Sequence, residues 1–190
     1  ANIIIARNFS TSDVTSYNIV YKYFGILNMV CVIFLTPFWS ATTEAYFKND
    51  IAWIKNSIKR YNHLNILLTS IGILMLFFSD KIYILWLGKG KVNISFLLSL
   101  WGFVYFNVII FGSKYVYFLN GISALRIQFW ASVISPFLYV IIAISLIKYY
   151  QMGVYALFIA SIAANFNAII IAPLQYYMVI IKNKKGIWVK

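Results

Sequence analysis

Reactive side chains are scarce in this sequence of 190 residues, which contains four acidic residues, one histidine and one cysteine. Enzyme active sites bring acids, bases and nucleophiles together, so this shortage predicts a protein that is not an enzyme. Cys31 has no second cysteine to pair with, and it is expected to be a small buried side chain. The same shortage predicts no metal site and no bound cofactor.

Charge is also scarce, and most of it is positive. Charged residues make up 11% of the chain, apolar residues make up 63%, and the formal net charge is +12. Too little polar surface remains to cover a soluble domain, so the composition predicts a membrane protein. The basic residues are spread between apolar stretches rather than gathered in one stripe with exposed aromatics. The predicted partners are therefore membrane lipids, and no nucleic acid.

Several apolar stretches are long enough to cross about 30 Å of hydrocarbon. Complete spans are predicted at about residues 17–45, 64–78, 94–119, 125–147 and 152–181. Residues 1–6 resemble the end of a further span, which indicates a fragment of a longer protein. We therefore predict an all-α, polytopic membrane helix bundle with five complete transmembrane helices plus the end of a sixth, forming one domain over residues 1–190.

An amphipathic segment separates the first two predicted spans. Ile51, Ile54 and Ile58 recur at helical spacing, and Lys55 and Lys59 fall on the opposite face. This pattern is typical of a helix that lies on a membrane surface, and it predicts a linker helix over residues 46–62.

The distribution of basic residues predicts the orientation of the chain. Successive spans divide the connecting segments into two sides, with ten basic residues on one side and five on the other, while Lys22 lies inside the first span. Cytoplasmic loops are enriched in Lys and Arg. The linker helix and the C-terminus are therefore predicted to lie in the cytoplasm.

Lys22 and Asn18 form a polar pair one helical turn apart in the first span. One interpretation is that Lys22 extends along the helix to the outer headgroups. The other is that both side chains face a hydrated cavity, because a lysine in the centre of a bilayer costs about 2.5 to 3.5 kcal/mol unless it is solvated or paired. Since the acidic residues lie at or near the ends of the predicted spans, none is placed to neutralise Lys22, and the second interpretation predicts an anionic ligand.

Lys114 and Arg126 lie on either side of a predicted turn at Asn120 and Gly121. They either anchor two helices to cytoplasmic headgroups or point inward and form a basic site at the mouth of a cavity below Lys22.

Prolines and amides are the other notable residues within the spans. Pro37, Pro136 and Pro173 are candidate hinges, although kinks are common in membrane helices. Five neutral amides are interpreted mainly as interhelical hydrogen-bonding groups, with sugar binding as the alternative: Asn28, Asn107, Asn165, Asn167 and Gln175.

A loose pattern of segments runs through almost the whole chain: Asn2–Ala6, Asp13–Tyr23, Pro37–Ala45, Asn49–Ile54, Ile84–Gly88 and Phe118–Gly121. This pattern resembles that of Wzx-like polysaccharide flippases, which belong to the MATE/MOP exporter superfamily. The resemblance implies a two-lobed protein with twelve or more spans, of which this chain is most of the C-terminal lobe.

The resemblance also implies a function. Such flippases reside in the bacterial inner membrane and move undecaprenyl-pyrophosphate-linked oligosaccharides by alternating access, for assembly of O-antigen or capsule. Cationic residues in their cavity hold the anionic head of the cargo, a role for which Lys22 is the best candidate by sequence. The implied partners are the N-terminal lobe and possible polysaccharide polymerase and chain-length proteins. Coupling to H⁺ or Na⁺ stays open.

Two other functions remain as alternatives. A MATE-like drug or cation antiporter would share the fold, but a span with an unpaired lysine is a poor host for a cation. A membrane polysaccharide polymerase or glycosyltransferase would need a large polar outer loop, whereas the longest outer segment predicted here covers only about residues 79–93.

Overall fold

A computed structural model describes residues 4, 7–89 and 93–189 of the chain. Within these residues every regular element is helical and no strand occurs, so the predicted all-α class is confirmed. Three helices are long and apolar enough to cross a membrane, or up to five if each of two bent pairs counts as one span. The fold is therefore compatible with a membrane protein. The predicted end of an earlier span, at residues 1–6, falls mostly outside the described residues.

Helix α1 (Thr11–Phe47) contains 37 residues and is longer than the predicted first span. Ser10 caps it, because its hydroxyl accepts from the Asp13 backbone N–H at 3.3 Å while the Ser10 N–H donates to the Asp13 carboxylate at 3.1 Å. At 1.5 Å per residue the helix is about 55 Å long, well beyond a hydrocarbon core of about 30 Å. Its ends therefore extend past the apolar layer or the helix tilts.

Helix α2 (Ile51–Phe77) runs without a break through the region where the sequence predicted a separate linker helix followed by a span. Ile54 and Ile58 are 0% and 4% exposed, and the ring of Trp53 stacks with that of Phe38 on α1. The apolar stripe thus packs against the protein itself. Residues 51–62 of the predicted linker helix form the first part of α2, and the position of this segment relative to a membrane surface stays a prediction. A short helix α3 (Ser79–Leu87) follows at an angle of 67°.

Helices α4 (Phe96–Gly121) and α5 (Arg126–Lys148) match the third and fourth predicted spans closely. The turn between them lies after Gly121 rather than at Asn120 and Gly121, with Ser123 in the left-handed region at φ 58°. Helix α4 is central, because it packs against α1, α2 and both parts of the last predicted span.

The last predicted span is bent. Helix α6 (Ala156–Ala164) is followed, after a 47° bend, by a π-helical turn (Asn167–Ile171), helix α7 (Ala172–Tyr176) and a second π-helical turn (Tyr177–Ile181). π-Helical turns inside helices are rare and frequently lie at functional sites. Gly112 of α4 lies against this region, since a Cβ at Gly112 would be 2.5 Å from the Ala168 Cβ.

Candidate functional site

A groove with several polar side chains in its wall lies between α2 and α4, with a volume of about 440 Å³. Its lining is made of amides, hydroxyls and a few apolar side chains at helical spacing on each helix: Asn62, Asn65, Ile66, Thr69, Ser70, Asn107, Phe111 and Tyr115. Polar side chains are costly within a bilayer and are concentrated where membrane proteins handle polar ligands. We call this feature the α2–α4 groove and treat it as the candidate site.

Lys114 is the most unusual residue beside the α2–α4 groove. It is 1% exposed, and its Nζ donates to the Phe111 carbonyl at 2.8 Å. The same Nζ lies 4.2 Å from the ring centre of Phe111 and 4.8 Å from that of Tyr115, within the range of cation–π attraction. Lys114 therefore points into the bundle, the direction that one of the two interpretations of the sequence requires.

Asn65 joins Lys114 to the groove. With its amide oriented to satisfy both of its polar groups, the oxygen accepts from Lys114 Nζ at 2.8 Å and the nitrogen donates to the Tyr61 carbonyl at 3.1 Å. A carbonyl, an amide and two ring faces thus surround the ammonium group. Among the described residues the single ion pair joins Lys48 to Glu44, so no carboxylate neutralises Lys114.

The groove also contains a polar link between its two helices. Thr69 Oγ1 donates to Asn107 Oδ1 at 2.6 Å, and Asn107 Nδ2 donates to the Phe103 carbonyl at 2.9 Å. The interpretation of Asn107 as an interhelical hydrogen-bonding residue is confirmed. These bonds hold the amide and the hydroxyl in fixed positions at the groove wall.

The structure separates the other predicted site residues from Lys114. Lys22 is exposed, and Asn18 is half-buried one turn earlier on α1. The ring of Tyr21 lies 6.2 Å from that of Tyr105 on α4. Since Tyr105 precedes Lys114 by nine residues, Lys22 lies about 13 Å from Lys114 along the bundle.

Arg126 is exposed at the first residue of α5, beyond the end of α4. It does not line the α2–α4 groove. The four predicted binding residues, Lys22, Asn18, Lys114 and Arg126, therefore do not form one cluster within this chain.

The prolines occupy three different settings. Pro37 and Pro136 lie inside α1 and α5, and Pro173 is the second residue of α7, directly after the π-helical turn Asn167–Ile171. The 47° bend of the last predicted span lies between α6 and Asn167, several residues before Pro173. That bend is therefore not at the proline. The hinge roles of all three remain predictions.

A second polar cluster joins α5 to the last predicted span. Gln128 Nε2 donates to Gln175 Oε1 at 2.9 Å, and Asn167 Nδ2 donates to Gln128 Oε1 at 2.6 Å. Gln175 Nε2 donates to the carbonyls of Ala124 and Trp188 at 3.1 and 2.8 Å. The prediction that Asn167 and Gln175 make interhelical hydrogen bonds is confirmed, and the cluster is structural.

Replacing Gln175 by Leu is expected to lower the free energy of unfolding by about 1–2 kcal/mol, because buried partners of its amide lose their hydrogen bonds. Denaturant unfolding in detergent micelles measures this change. Asn28→Leu is the matched control, since it also replaces an amide by Leu, and Asn28 is half-buried with no side-chain hydrogen bond to any described residue. Equal losses for the two variants would contradict a role for the Gln175 bonds.

Acidic side chains lie at helix ends, away from the groove. Asp13 and Asp50 cap α1 and α2, Glu44 pairs with Lys48, and Asp80 is in the first turn of α3. No group of three metal-ligating residues occurs among the residues that the structure describes. The α2–α4 groove thus presents neutral polar groups and aromatic faces, and Lys114 lies buried behind its wall with a hydrogen bond to Asn65.

Comparison with known proteins gives no relative: no protein-family model, no curated protein and no solved structure matches the chain.

Proposed function

We propose that the chain is one lobe of a bacterial inner-membrane flippase that moves an undecaprenyl-pyrophosphate-linked oligosaccharide outward, for assembly of O-antigen, capsule or another surface polysaccharide. The observation that carries the proposal is Lys114, a buried lysine that no carboxylate of the described residues pairs with and that is hydrogen-bonded to Asn65 in the wall of the α2–α4 groove. The MATE/MOP-like arrangement of this lobe, its cytoplasmic C-terminus and its pairing with an N-terminal lobe belong to the same proposal.

The chemistry of the groove suits this cargo. Burial of a lysine is costly unless hydrogen bonds and an opposite charge compensate, so a site built around Lys114 favours an anion such as a pyrophosphate. Asn62, Asn65, Thr69 and Ser70 offer amides and hydroxyls that can exchange hydrogen bonds with sugar hydroxyls. As a polar head group crosses along this groove, hydrogen bonds to the protein take the place of its hydration water. The head group therefore does not have to enter hydrocarbon.

The transport step needs no covalent chemistry. In alternating access, the two lobes rock about a site near the middle of the membrane while the lipid tail stays in the bilayer. A head with about two negative charges that moves outward across about 100 mV, inside negative, gains about 4–5 kcal/mol. The membrane potential alone can therefore drive export, and coupling to H⁺ or Na⁺ is dispensable in this account.

Deletion of the protein in its native cells distinguishes the three candidate functions. A flippase predicts loss of surface polysaccharide and accumulation of the lipid-linked oligosaccharide on the cytoplasmic leaflet. A cation antiporter predicts normal polysaccharide and increased sensitivity to cationic drugs. A polymerase predicts single repeat units at the surface without long chains, and either of the last two results would overturn the proposal.

A further inference from the structure

A second cavity lies between the second half of α1 and the first half of α2, with a volume of about 460 Å³. Its walls are mainly apolar and aromatic, and one basic residue lies at its edge: Phe34, Pro37, Phe38, Ala41, Trp53 and Arg60. We call it the Pro37 groove. None of these residues lines the α2–α4 groove, so the two cavities are separate.

The Pro37 groove is preformed. Pro37 has no N–H to donate to the Ile33 carbonyl, which loosens the helix at this point. The Tyr61 hydroxyl of α2 donates to the neighbouring Phe34 carbonyl at 2.7 Å. The Phe38 ring lies 4.7 Å from that of Tyr61, centre to centre. These contacts fix the two helices around an apolar space open to the surface.

Arg60 gives the Pro37 groove a positive charge that pairs with no carboxylate in the part of the chain that the structure describes. Its side chain is exposed at the edge of the groove. The two carboxylates nearest to it in sequence on this side are engaged elsewhere, because Glu44 pairs with Lys48 and Asp50 accepts from the Trp53 backbone N–H at 2.9 Å. The groove thus combines an apolar space with an unneutralised guanidinium group, which is complementary to a molecule with a fatty chain and an anionic head.

We propose that the Pro37 groove binds one anionic phospholipid of the surrounding membrane. An acyl chain lies against Phe34 and Pro37, and the phosphate accepts two parallel hydrogen bonds from Arg60, the geometry that guanidinium groups favour. Trp53 lies at the same groove, as tryptophans commonly do at the level of lipid headgroups. This inference requires only that α1 and α2 lie in a bilayer, and it is independent of the proposed transport function.

Quenching of Trp53 fluorescence tests the proposal. Purified protein in a neutral detergent is titrated with phosphatidylglycerol brominated on its acyl chains, and separately with phosphatidylcholine brominated in the same way. We expect saturable quenching by phosphatidylglycerol at concentrations about ten-fold lower than by phosphatidylcholine. Trp53→Phe should remove the saturable component. The proposal would be overturned if the two lipids quenched the fluorescence at equal concentrations. Saturable quenching that persists in Trp53→Phe would overturn it as well.

Variants of the groove locate the binding site. Arg60→Gln is expected to weaken the phosphatidylglycerol titration about ten-fold, because the charge-assisted bonds to phosphate are lost. Lys59→Gln removes the same charge from the adjacent exposed residue, which does not line the groove, and should change the titration less than two-fold. Ala41→Phe keeps Arg60 but fills the groove, and it should abolish saturable quenching. Retention of wild-type affinity in both Arg60→Gln and Ala41→Phe would contradict the assignment.

Discussion

Replacement of Lys114 by Met is expected to reduce polysaccharide export about 10- to 100-fold. The variant removes the charge that holds the anionic head of the cargo, and hydrogen bonds to charged groups contribute about 1.5–3 kcal/mol. Stability should change little, since replacing a buried charge by an apolar side chain of similar volume is often neutral or stabilising. Surface polysaccharide, normalised to the amount of protein in the membrane, measures the effect.

Lys22→Ala is the matched control for Lys114→Met. Lys22 is exposed on a face of α1 that also carries the exposed Ile26 and Met29, and α1 is long enough for this level to lie near a headgroup region. We expect export to stay within two-fold of the wild type. Loss of export in Lys22→Ala together with normal export in Lys114→Met would place the cargo site at Lys22 instead.

Replacement of Gly112 by Ala is expected to lower the free energy of unfolding by about 3 kcal/mol, at the upper end for overpacked sites. A Cβ at Gly112 would lie 2.5 Å from both the Cβ and the carbonyl oxygen of Ala168. Because one of these atoms is backbone, a rotamer change cannot relieve the clash, and α4 must move away from the π-helical turn. Denaturant unfolding in detergent micelles gives the change in stability.

Gly25→Ala is the control for Gly112→Ala, because it makes the same chemical change inside a helix. The nearest atom to a Cβ at Gly25 is on the Phe106 ring at 3.5 Å, an ordinary contact distance. Ala is favoured over Gly in helices by about 1 kcal/mol, so Gly25→Ala should be neutral or stabilising. A stable Gly112→Ala variant would contradict the close packing of α4 against the last predicted span.

The positions of the helices could be predicted from the sequence, but it does not show whether lipid or another helix contacts each helix face. The stripe of Ile51, Ile54 and Ile58 correctly indicated an amphipathic helix, yet the same periodicity arises whether the apolar face meets lipid or a neighbouring helix. In the structure α1 covers this face. The spans α4 and α5 were predicted to within about two residues, because long apolar stretches with charges at their ends have few alternative interpretations.

The candidate site was predicted in part. The sequence identifies Lys114 as a candidate but does not predict whether its side chain points into the bundle. An almost uniformly apolar helix gives no indication of which face turns inward. Asn62, Asn65 and Thr69 were missed as a set, although their spacing of three and four residues places them on one face of α2. Their recognition would have indicated that the polar face of α2 meets α4.

Binding of the cargo head to purified protein shows whether Lys114 holds the pyrophosphate. A lipid-linked oligosaccharide with a pyrophosphate is compared with the same molecule lacking the phosphates, for the wild type and for Lys114→Met. We predict that the wild type prefers the pyrophosphate form by about ten-fold or more and that Lys114→Met loses this preference. An equal preference in the two proteins would contradict the account, because Lys114 would then not hold the anionic head.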